Sequence, residues 1–201
     1  MLTIAWDVDD VLNDLMHAWY TYKWIPGHSG CNIAYESLVE NPPNNILGIS
    51  REEYLASLDG FRLSKDYEKL KPCGEILQWF HKHGSKARHI ALTAVPTVAA
   101  HASAGWVTRH FGNWIRTFHF IPSFRDVTYG VCYDRTKVEY IKRVGTIDIL
   151  VEDNRNNIAG LEDLGKKGLL VSRPWNSSAK SIGDILEELI IIIEAENEKT
   201  I

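Results

Sequence analysis

Short apolar runs alternate with amphipathic stretches along most of the 201-residue chain. Apolar runs of about four to eight residues are typical of buried strands, and apolar positions recurring about every three or four residues are typical of helices. Strands are predicted over residues 3–8, 87–93, 116–121, 146–151 and 168–171. Helices are predicted over residues 11–24, 50–58, 75–83, 98–111, 137–144, 158–164 and 181–196.

The alternation of helices and strands begins at residue 72 and predicts a parallel sheet covered on both faces. The segment 13–71 does not alternate in this way. It contains a Gly-, Pro-, Asn- and Ser-rich loop at 26–45 and a helix that opens with a capping box at Ser50. We therefore predict an α/β, Rossmann-like core made of residues 1–12 and 72–201, with a small helical cap, residues 13–71, inserted after the first strand.

Composition places the chain among globular proteins. Hydrophobic residues make up 45% of the sequence, too large a share for a disordered chain. The formal net charge is −4 and the basic residues form no block, so we expect no binding to duplex nucleic acid. The three cysteines, Cys31, Cys73 and Cys132, lie far apart without metal-site spacing, which predicts free thiols.

The apolar segments predict a protein that binds no membrane. The first residues lack the basic and apolar pattern of an export signal. The longest strongly apolar run, residues 189–193, is far too short to cross a bilayer, and we expect a cytoplasmic location. The C-terminal helix that contains this run is apolar beyond one face, and the surplus apolar surface could form a homodimer contact.

Three carboxylates, Asp7, Asp9 and Asp10, lie at the C-terminal end of the first predicted strand. In an open α/β sheet, ligands bind at the carboxyl ends of the strands. Clustered carboxylates repel one another and are costly to remove from water. A divalent cation offsets that cost, and Mg²⁺ prefers oxygen ligands of this kind. The stretch therefore predicts a magnesium site, with an acidic turn after a strand as the alternative.

Other polar residues are expected at the same edge of the sheet. Thr93 ends the second predicted strand, and Glu152 and Asp153 follow the fourth. Lys137 opens the helix before the fourth strand, and Lys142 lies further along that helix. Each residue alone fits a turn or a solvent-exposed position better than a site. Their coincidence at one edge of the sheet indicates a functional site.

Each of these residue types has a use in phosphoryl transfer. Asp7 could accept a phosphoryl group as a nucleophile, and Asp9 could protonate the leaving oxygen and then activate water. Thr93 could bond a phosphoryl oxygen, and Lys137 could neutralise charge on the nucleophile and the phosphate. The predicted Mg²⁺ ligands are the carboxylates at this edge: Asp7, Asp9, Glu152 and Asp153.

The same residues resemble the four motifs of the haloacid dehalogenase superfamily of phosphohydrolases. In order, the motifs are Asp-x-Asp after an apolar strand, a Thr or Ser at a strand end, a Lys near a helix start, and an acidic pair followed by Asp or Asn. They are matched by Asp7-Val-Asp9, Thr93, Lys137 and Glu152-Asp153 with Asn157. The usual acidic pair is Asp-Asp rather than Glu-Asp. The resemblance implies Mg²⁺-dependent hydrolysis of a phosphomonoester through an aspartyl-phosphate.

A closer resemblance is to the 5′(3′)-deoxyribonucleotidase branch, whose substrates are nucleoside monophosphates. It rests on Leu70-Lys-Pro-Cys-Gly74, Thr93-Ala-Val-Pro96, His101, Trp106, Phe111-Gly112 and Pro174-Trp175-Asn176. Thr93, Ala94 and Lys137 are then expected to contact the substrate. Phe61, from the aromatic cluster of the predicted cap, is expected to stack on the base, although packing within the cap is the alternative for such a cluster.

Two other functions are compatible with these residues. The first is a phosphatase of the same superfamily for another small phosphoester, such as a sugar phosphate. The second is a nucleotide- or phosphate-binding protein with little turnover, which the Glu-Asp pair leaves open and which the presence of both Asp7 and Asp9 disfavours.

Overall fold

Five parallel strands form one sheet in the computed structural model, which describes residues 1–122 and 134–198. They are β1 (Thr3–Trp6), β2 (Arg88–Val95), β3 (Ile115–Pro122), β4 (Ile149–Glu152) and β5 (Lys167–Leu170). Their order is β3-β2-β1-β4-β5, and every neighbouring pair is parallel. The predicted α/β fold with a Rossmann-like parallel sheet is thereby confirmed.

Helices connect the strands and cover both faces of the sheet. They are α1 (Leu15–Trp19), α2 (Ile25–Gly27), α3 (Asn44–Leu47), α4 (Arg51–Arg62), α5 (Lys65–Glu68), α6 (Gly74–His83), α7 (Thr97–Phe111), α8 (Lys137–Val144), α9 (Arg155–Ile158) and α10 (Ile182–Glu198). Helices α1 to α5 all lie between β1 and α6, and residues 13–71 are called the helical segment below. The division of the chain into a core and a separate cap stays a prediction.

Three predicted helices have clearly different bounds in the structure. The helix predicted over residues 50–58 continues to Arg62. The helix predicted over residues 11–24 begins only at Leu15. Asp10 adopts a left-handed backbone conformation, with φ of +63°, which turns the chain out of β1 before a helix can start. The helix predicted over residues 158–164 is interrupted, because Gly160 has a φ of +89° that only glycine adopts without strain.

Consecutive residues of β1 are buried on opposite faces of the sheet. Ile4 and Trp6 belong to a large core that includes residues of the helical segment and of α6, α7 and α10. Ala5 belongs to a second core, formed with α8 and the strands beside β1. Because both faces are covered, the carboxyl edge of the sheet is the part left open to a ligand.

The last helix, α10, covers the large core with one apolar stripe. The buried residues of the stripe are Ile185, Leu186, Leu189 and Ile193. Ile191, on another face of the helix, is 67% exposed. The apolar surface beyond one face, expected from the sequence, is therefore present, and its use as a homodimer contact stays a prediction.

The cysteines and the apolar runs relate to the cellular environment predicted for the protein. Cys31 and Cys73 are free, as predicted, and Cys132 lies outside the described residues. Within residues 1–122 and 134–198, no helix combines the length and the apolar composition needed to cross a bilayer. The cytoplasmic location stays a prediction.

A buried histidine links β2 to the neighbouring strand β1. His89 of β2 is 3% exposed, and its Nδ1 lies 3.1 Å from the indole Nε1 of Trp6. An indole can only donate, so Nδ1 must accept, and Nε2 then donates to the carbonyl of Gly84 at 3.0 Å. Burial lowers the pKa of His89 to about 4, because the protonated ring would lose its solvation and the hydrogen bond from Trp6.

We expect His89 to make the stability of the fold depend on pH. Its pKa is about 4 in the folded chain and about 6.5 in an unfolded one. Between these values the unfolded chain binds a proton that the folded chain does not, so stability falls as pH falls. From pH 7 to pH 4.5 the loss due to His89 is about 2 kcal/mol.

Urea unfolding of the wild type and of His89→Gln at both pH values measures this effect. The difference in unfolding free energy between pH 7 and pH 4.5 should be smaller in His89→Gln than in the wild type. A matched control is His101→Gln, which replaces an exposed histidine of α7 and should retain the wild-type dependence. An equal pH dependence in the wild type and His89→Gln would contradict the prediction.

Candidate active site

The candidate site lies between β1 and β4, where the order of the strands reverses. β2 and β3 lie on one side of β1, and β5 lies beyond β4 on the other. Such a switch point leaves a crevice at the carboxyl ends of the two central strands. Asp7 follows β1, and its backbone N–H donates to the carbonyl of Val151 at 2.9 Å. Glu152 ends β4 and Asp153 follows it, so the three carboxylates share one edge.

A cavity of about 480 Å³ opens at this crevice. Its wall includes all but one of the predicted site residues: Asp7, Asp9, Thr93, Ala94, Lys137, Glu152 and Asp153. Another part of the wall is one face of α4, with residues at helical spacing: Arg51, Tyr54, Leu55, Leu58 and Arg62. The sheet and the helical segment therefore both contribute to the cavity.

Lys137 is buried among the carboxylates at the floor of the cavity. Its Nζ lies 2.8 Å from Oδ1 of Asp7 and 2.5 Å from Oε2 of Glu152. Thr136 caps α8 by accepting a hydrogen bond from the backbone of Glu139 at 3.0 Å, which makes Lys137 the first residue of the helix. Lys142 is exposed. Of the two lysines left open by the sequence, Lys137 is thus the one at the site.

The charges around Lys137 stabilise its protonated form. Burial by itself would lower the pKa of this lysine, but the carboxylates of Asp7 and Glu152 raise it above its ordinary value. The side chain is 1% exposed. A buried ammonium group that touches two carboxylates stays charged, so Lys137 can counter negative charge in the cavity.

Glu152 holds Lys137 in place. Its Oε2 accepts from Lys137, and its Oε1 accepts from the backbone N–H of Asn154 and from Nδ2 of Asn157, both at 3.1 Å. Both carboxylate oxygens are therefore engaged with protein donors. Asn157, the residue matched to the end of the fourth motif, acts here by orienting Glu152.

The carboxylates of Asp7, Glu152 and Asp153 form a group that fits a divalent cation. One oxygen from each lies within 4.8 Å of the others, and all three residues are buried. Burial and the Glu152 carboxylate raise the pKa of Asp7 to about 7 and that of Asp153 well above its ordinary value. One lysine does not balance three buried carboxylates, and an all-oxygen donor set suits Mg²⁺. Because Glu152 is engaged, Asp7 and Asp153 are the ligands with an oxygen to offer.

Asp9 does not belong to this group, although the sequence predicts it as a metal ligand. Its Oδ2 accepts from Nε of Arg62 at 3.0 Å. Its Oδ1 accepts from the hydroxyl of Tyr67 at 3.1 Å and from Nδ2 of Asn13 at 3.3 Å. The positive charge of Arg62 draws the carboxylate towards the helical segment, away from Asp7 and Asp153.

Asp10 forms the turn that leads from β1 into the helical segment. Its Oδ1 accepts from the backbone N–H of Met16 at 2.8 Å, and its carbonyl accepts from Nε of Arg173 at 2.8 Å. Burial raises the pKa of this carboxyl to about 8. These contacts fit the turn expected for Asp10, which has no assigned chemistry.

Solved structures share this fold, although no family model and no curated protein matches the sequence. A predicted phosphatase from Clostridium acetobutylicum superposes with a TM-score of 0.61 at 12% identity, over 94% of this chain and 98% of that one. The HAD hydrolase YfnB from Bacillus subtilis, bound to magnesium, gives 0.57 at 13% identity, over 96% and 98%. A protein described as a β-phosphoglucomutase from Thermotoga maritima gives 0.54 at 15% identity, over 94% and 98%.

The chain has the fold of the haloacid dehalogenase-like hydrolases. This is the fold implied by the four sequence motifs, and the motif residues line one cavity at the carboxyl edge of its sheet. At sequence identities of 12 to 15%, these superpositions show a shared fold and do not show a shared function. The resemblance to the deoxyribonucleotidase branch stays a prediction.

Phe61 is the predicted site residue that the structure places elsewhere. It is 1% exposed and packs in the large core, so it presents no ring to the cavity. One step along a helix rotates the side chain by about 100°, and the next residue, Arg62, is the one that faces the site. The alternative interpretation, packing within the helical segment, describes Phe61 better than base stacking.

A second cleft, of about 490 Å³, adjoins the cavity. The two share Asn41, Asn154 and Asn156, and the second is also lined by Trp175. The indole Nε1 of Trp175 donates to Oδ2 of Asp153 at 2.8 Å. This hydrogen bond fixes the ring beside a candidate metal ligand, while the ring remains partly exposed.

The sequence predicts one residue of the helical segment at the site, Phe61, and does not identify the residues of that segment that contact Asp9. Arg62 and Tyr67, which contact Asp9, lie outside every motif. An arginine in the last turn of an amphipathic helix is usually solvent-exposed. Only the packing of α4 over the sheet edge distinguishes Arg62 from such a residue.

Mg²⁺ is expected to stabilise the folded chain, because it offsets repulsion among the carboxylates of Asp7, Glu152 and Asp153. At a concentration about 100 times its dissociation constant, the stabilisation is about 3 kcal/mol. Asp153→Asn should abolish this effect. Asp163→Asn, which changes an exposed carboxylate outside the cavity, should preserve it.

Thermal unfolding in MgCl₂ and in EDTA measures the stabilisation for all three proteins. The control variant separates site binding from a general effect of the salt. Equal responses of the wild type and Asp153→Asn to Mg²⁺ would show that the cation binds somewhere else.

Proposed function

We propose that the protein is a Mg²⁺-dependent phosphomonoester hydrolase that works through an aspartyl-phosphate. The observation that carries the proposal is the contact of the buried Lys137 ammonium with the Asp7 carboxylate, 2.8 Å apart, at the switch point of the sheet. The shared fold with a predicted phosphatase and with a magnesium-bound HAD hydrolase supports it.

Asp7 would act as the nucleophile. Among the described residues, the backbone N–H of Val8 and the ammonium of Lys137 both contact Oδ1 of this carboxylate, at 2.8 Å. These two contacts hold the carboxylate in one orientation at the switch point of the sheet. The bond from Asp7 to phosphorus forms as the bond from phosphorus to the leaving oxygen breaks. Lys137 stabilises the negative charge on the transferring group.

Asp9 would handle the protons of both steps. It would donate a proton to the leaving oxygen and then take one from the water that hydrolyses the aspartyl-phosphate, which releases phosphate and restores Asp7. Thr93, which is buried two residues before the end of β2, and the neighbouring Ala94 would contact the phosphoryl oxygens. Bound Mg²⁺ would be held by Asp7 and Asp153 and would offset the charge of the transferring phosphoryl group.

The substrate class we prefer is a nucleoside monophosphate. The second cleft offers space for a leaving group beside the phosphate cavity, and Trp175 offers an aromatic face there. Trp175 thus replaces Phe61 as the candidate for base stacking. A sugar phosphate is the second candidate, because one protein of the same fold is described as a β-phosphoglucomutase.

Asp7→Asn is expected to reduce phosphate release by at least about a thousandfold, because an amide cannot form the acyl-phosphate bond. A screen of nucleoside monophosphates and sugar phosphates, with Mg²⁺ or EDTA, provides the substrate for the measurement. Asp163→Asn, outside the cavity, is the matched control and should retain wild-type rates. Phosphate release that survives Asp7→Asn would exclude the covalent mechanism. Binding of phosphate without any turnover by the wild type would favour a binding protein.

Trp175→Ala is expected to lower kcat/KM for a nucleoside monophosphate more than for glycerol phosphate, which has no ring. Loss of stacking on one base should lower kcat/KM about tenfold. The comparison of the two substrates is needed because Trp175 also donates to Asp153, and loss of that bond affects both equally. An unchanged ratio of the two kcat/KM values would exclude the second cleft as the base site.

A further inference from the structure

The Asp9 carboxylate is held entirely by residues outside the sheet. Within the described chain, its partners are Arg62, Tyr67 and Asn13, with donor–acceptor distances of 3.0, 3.1 and 3.3 Å. These donors occupy both carboxylate oxygens, and Asp9 and Arg62 are each 8% exposed. The orientation of Asp9 is therefore set by the helical segment and not by the sheet edge from which the residue comes.

Arg62 is itself fixed on α4. Its Nε contacts Asp9, and its Nη1 lies 3.0 Å from Oδ1 of Asp59, one turn earlier on the same helix. A guanidinium group that bridges two carboxylates has little rotational freedom, and its planar fork defines where each carboxylate lies. Asp9 thus meets a rigid and positively charged partner.

The partners of Asp7 and Asp9 do not overlap. Asp7 contacts Val8 and Lys137, on the sheet side of the cavity. Asp9 is only two residues further on, and a freely rotating carboxylate there would be attracted to Lys137 or to a cation bound by Asp7. The contact with Arg62 prevents this and leaves Asp9 outside the group that fits a metal.

We propose that Arg62 is a positioning residue for the acid/base step. It holds Asp9 apart from Asp7 and at the α4 wall of the cavity, so the helical segment controls proton transfer while the sheet controls phosphoryl transfer. This inference rests on the proposed function.

A double-mutant cycle on kcat tests whether Arg62 acts through Asp9. With glycerol phosphate as substrate, Arg62→Gln should lower kcat by about a hundredfold, in the range typical of a general acid–base group. In an Asp9→Asn background, Arg62→Gln should cause no further loss. Equal factors of loss in the two backgrounds would overturn the proposal, because Arg62 would then act independently of Asp9.

The leaving group gives a second test that a purely structural role would not satisfy. When p-nitrophenyl phosphate reacts, Asp7 gains the phosphoryl group and p-nitrophenolate departs with its electron pair, so no proton is needed. Arg62→Gln should therefore retain a rapid burst of p-nitrophenolate, followed by slow turnover because water is no longer activated. A burst slowed as much as kcat on glycerol phosphate would overturn the proposal.

A more conservative variant tests the same role without replacing the buried Arg62. Tyr67→Phe keeps the buried ring and removes only the hydroxyl that donates to Asp9. It should lower kcat on glycerol phosphate by several-fold, and this loss should also vanish in the Asp9→Asn background. Arg109→Gln is the matched control: Arg109 donates to the carbonyl of Glu68 in α5 without contacting Asp9, and its loss should leave kcat unchanged.

The proposed function and the inference about Arg62 are contradicted by different results. If the wild type hydrolyses no phosphomonoester, or if Asp7→Asn retains activity, the proposed function fails and the inference fails with it. If activity depends on Asp7 but the effects of Arg62→Gln and Asp9→Asn multiply independently, the function stands and the inference is wrong.

Discussion

The interaction on which the site depends is the burial of Lys137 between Asp7 and Glu152. An unpaired charge in the interior of a protein costs several kcal/mol, so neither carboxylate could stay ionised at this edge alone. The lysine reaches both carboxylates for two reasons. β1 and β4 are neighbours in the sheet, and the Thr136 cap makes Lys137 the first residue of α8. The strand order and the N-terminal cap of α8 thus decide whether a charged carboxylate can be buried at Asp7.

The two carboxylates of the Asp-x-Asp motif belong to different parts of the structure. Asp7 continues β1 and is held by Lys137 of α8. Asp9 follows it by two residues, yet all its side-chain partners in the described chain come from the helical segment. The left-handed turn at Asp10 carries the chain from one part into the other. In this arrangement a movement of α4 would change the environment of Asp9 and leave the contact between Asp7 and Lys137 intact.

The sequence predicted the sheet side of the site because its residues follow strands directly. Apolar runs locate the strand ends, and parallel strands bring those ends to one edge, so Thr93, Glu152 and Asp153 could be grouped without coordinates. The helical side could not be predicted in this way. Whether Phe61 or Arg62 faces the cavity depends on a rotation of about 100° about α4, and the sequence does not specify how that helix packs over the sheet.

The contacts of Glu152 explain why the acidic pair can be Glu-Asp instead of Asp-Asp. Both of its oxygens accept hydrogen bonds from the protein, one from Lys137 and one from Asn154 and Asn157. Its role is therefore to position the lysine, and a glutamate serves this role as long as its carboxylate reaches Lys137. The departure from Asp-Asp removes no available metal ligand, because Asp7 and Asp153 still each have an oxygen to offer. Mg²⁺ commonly binds through one or two carboxylates and completes its shell with water and substrate phosphate. Two available carboxylates in the wall of a cavity of about 480 Å³ suit such an ion, and the rest of its shell would be open to water or a phosphoryl oxygen.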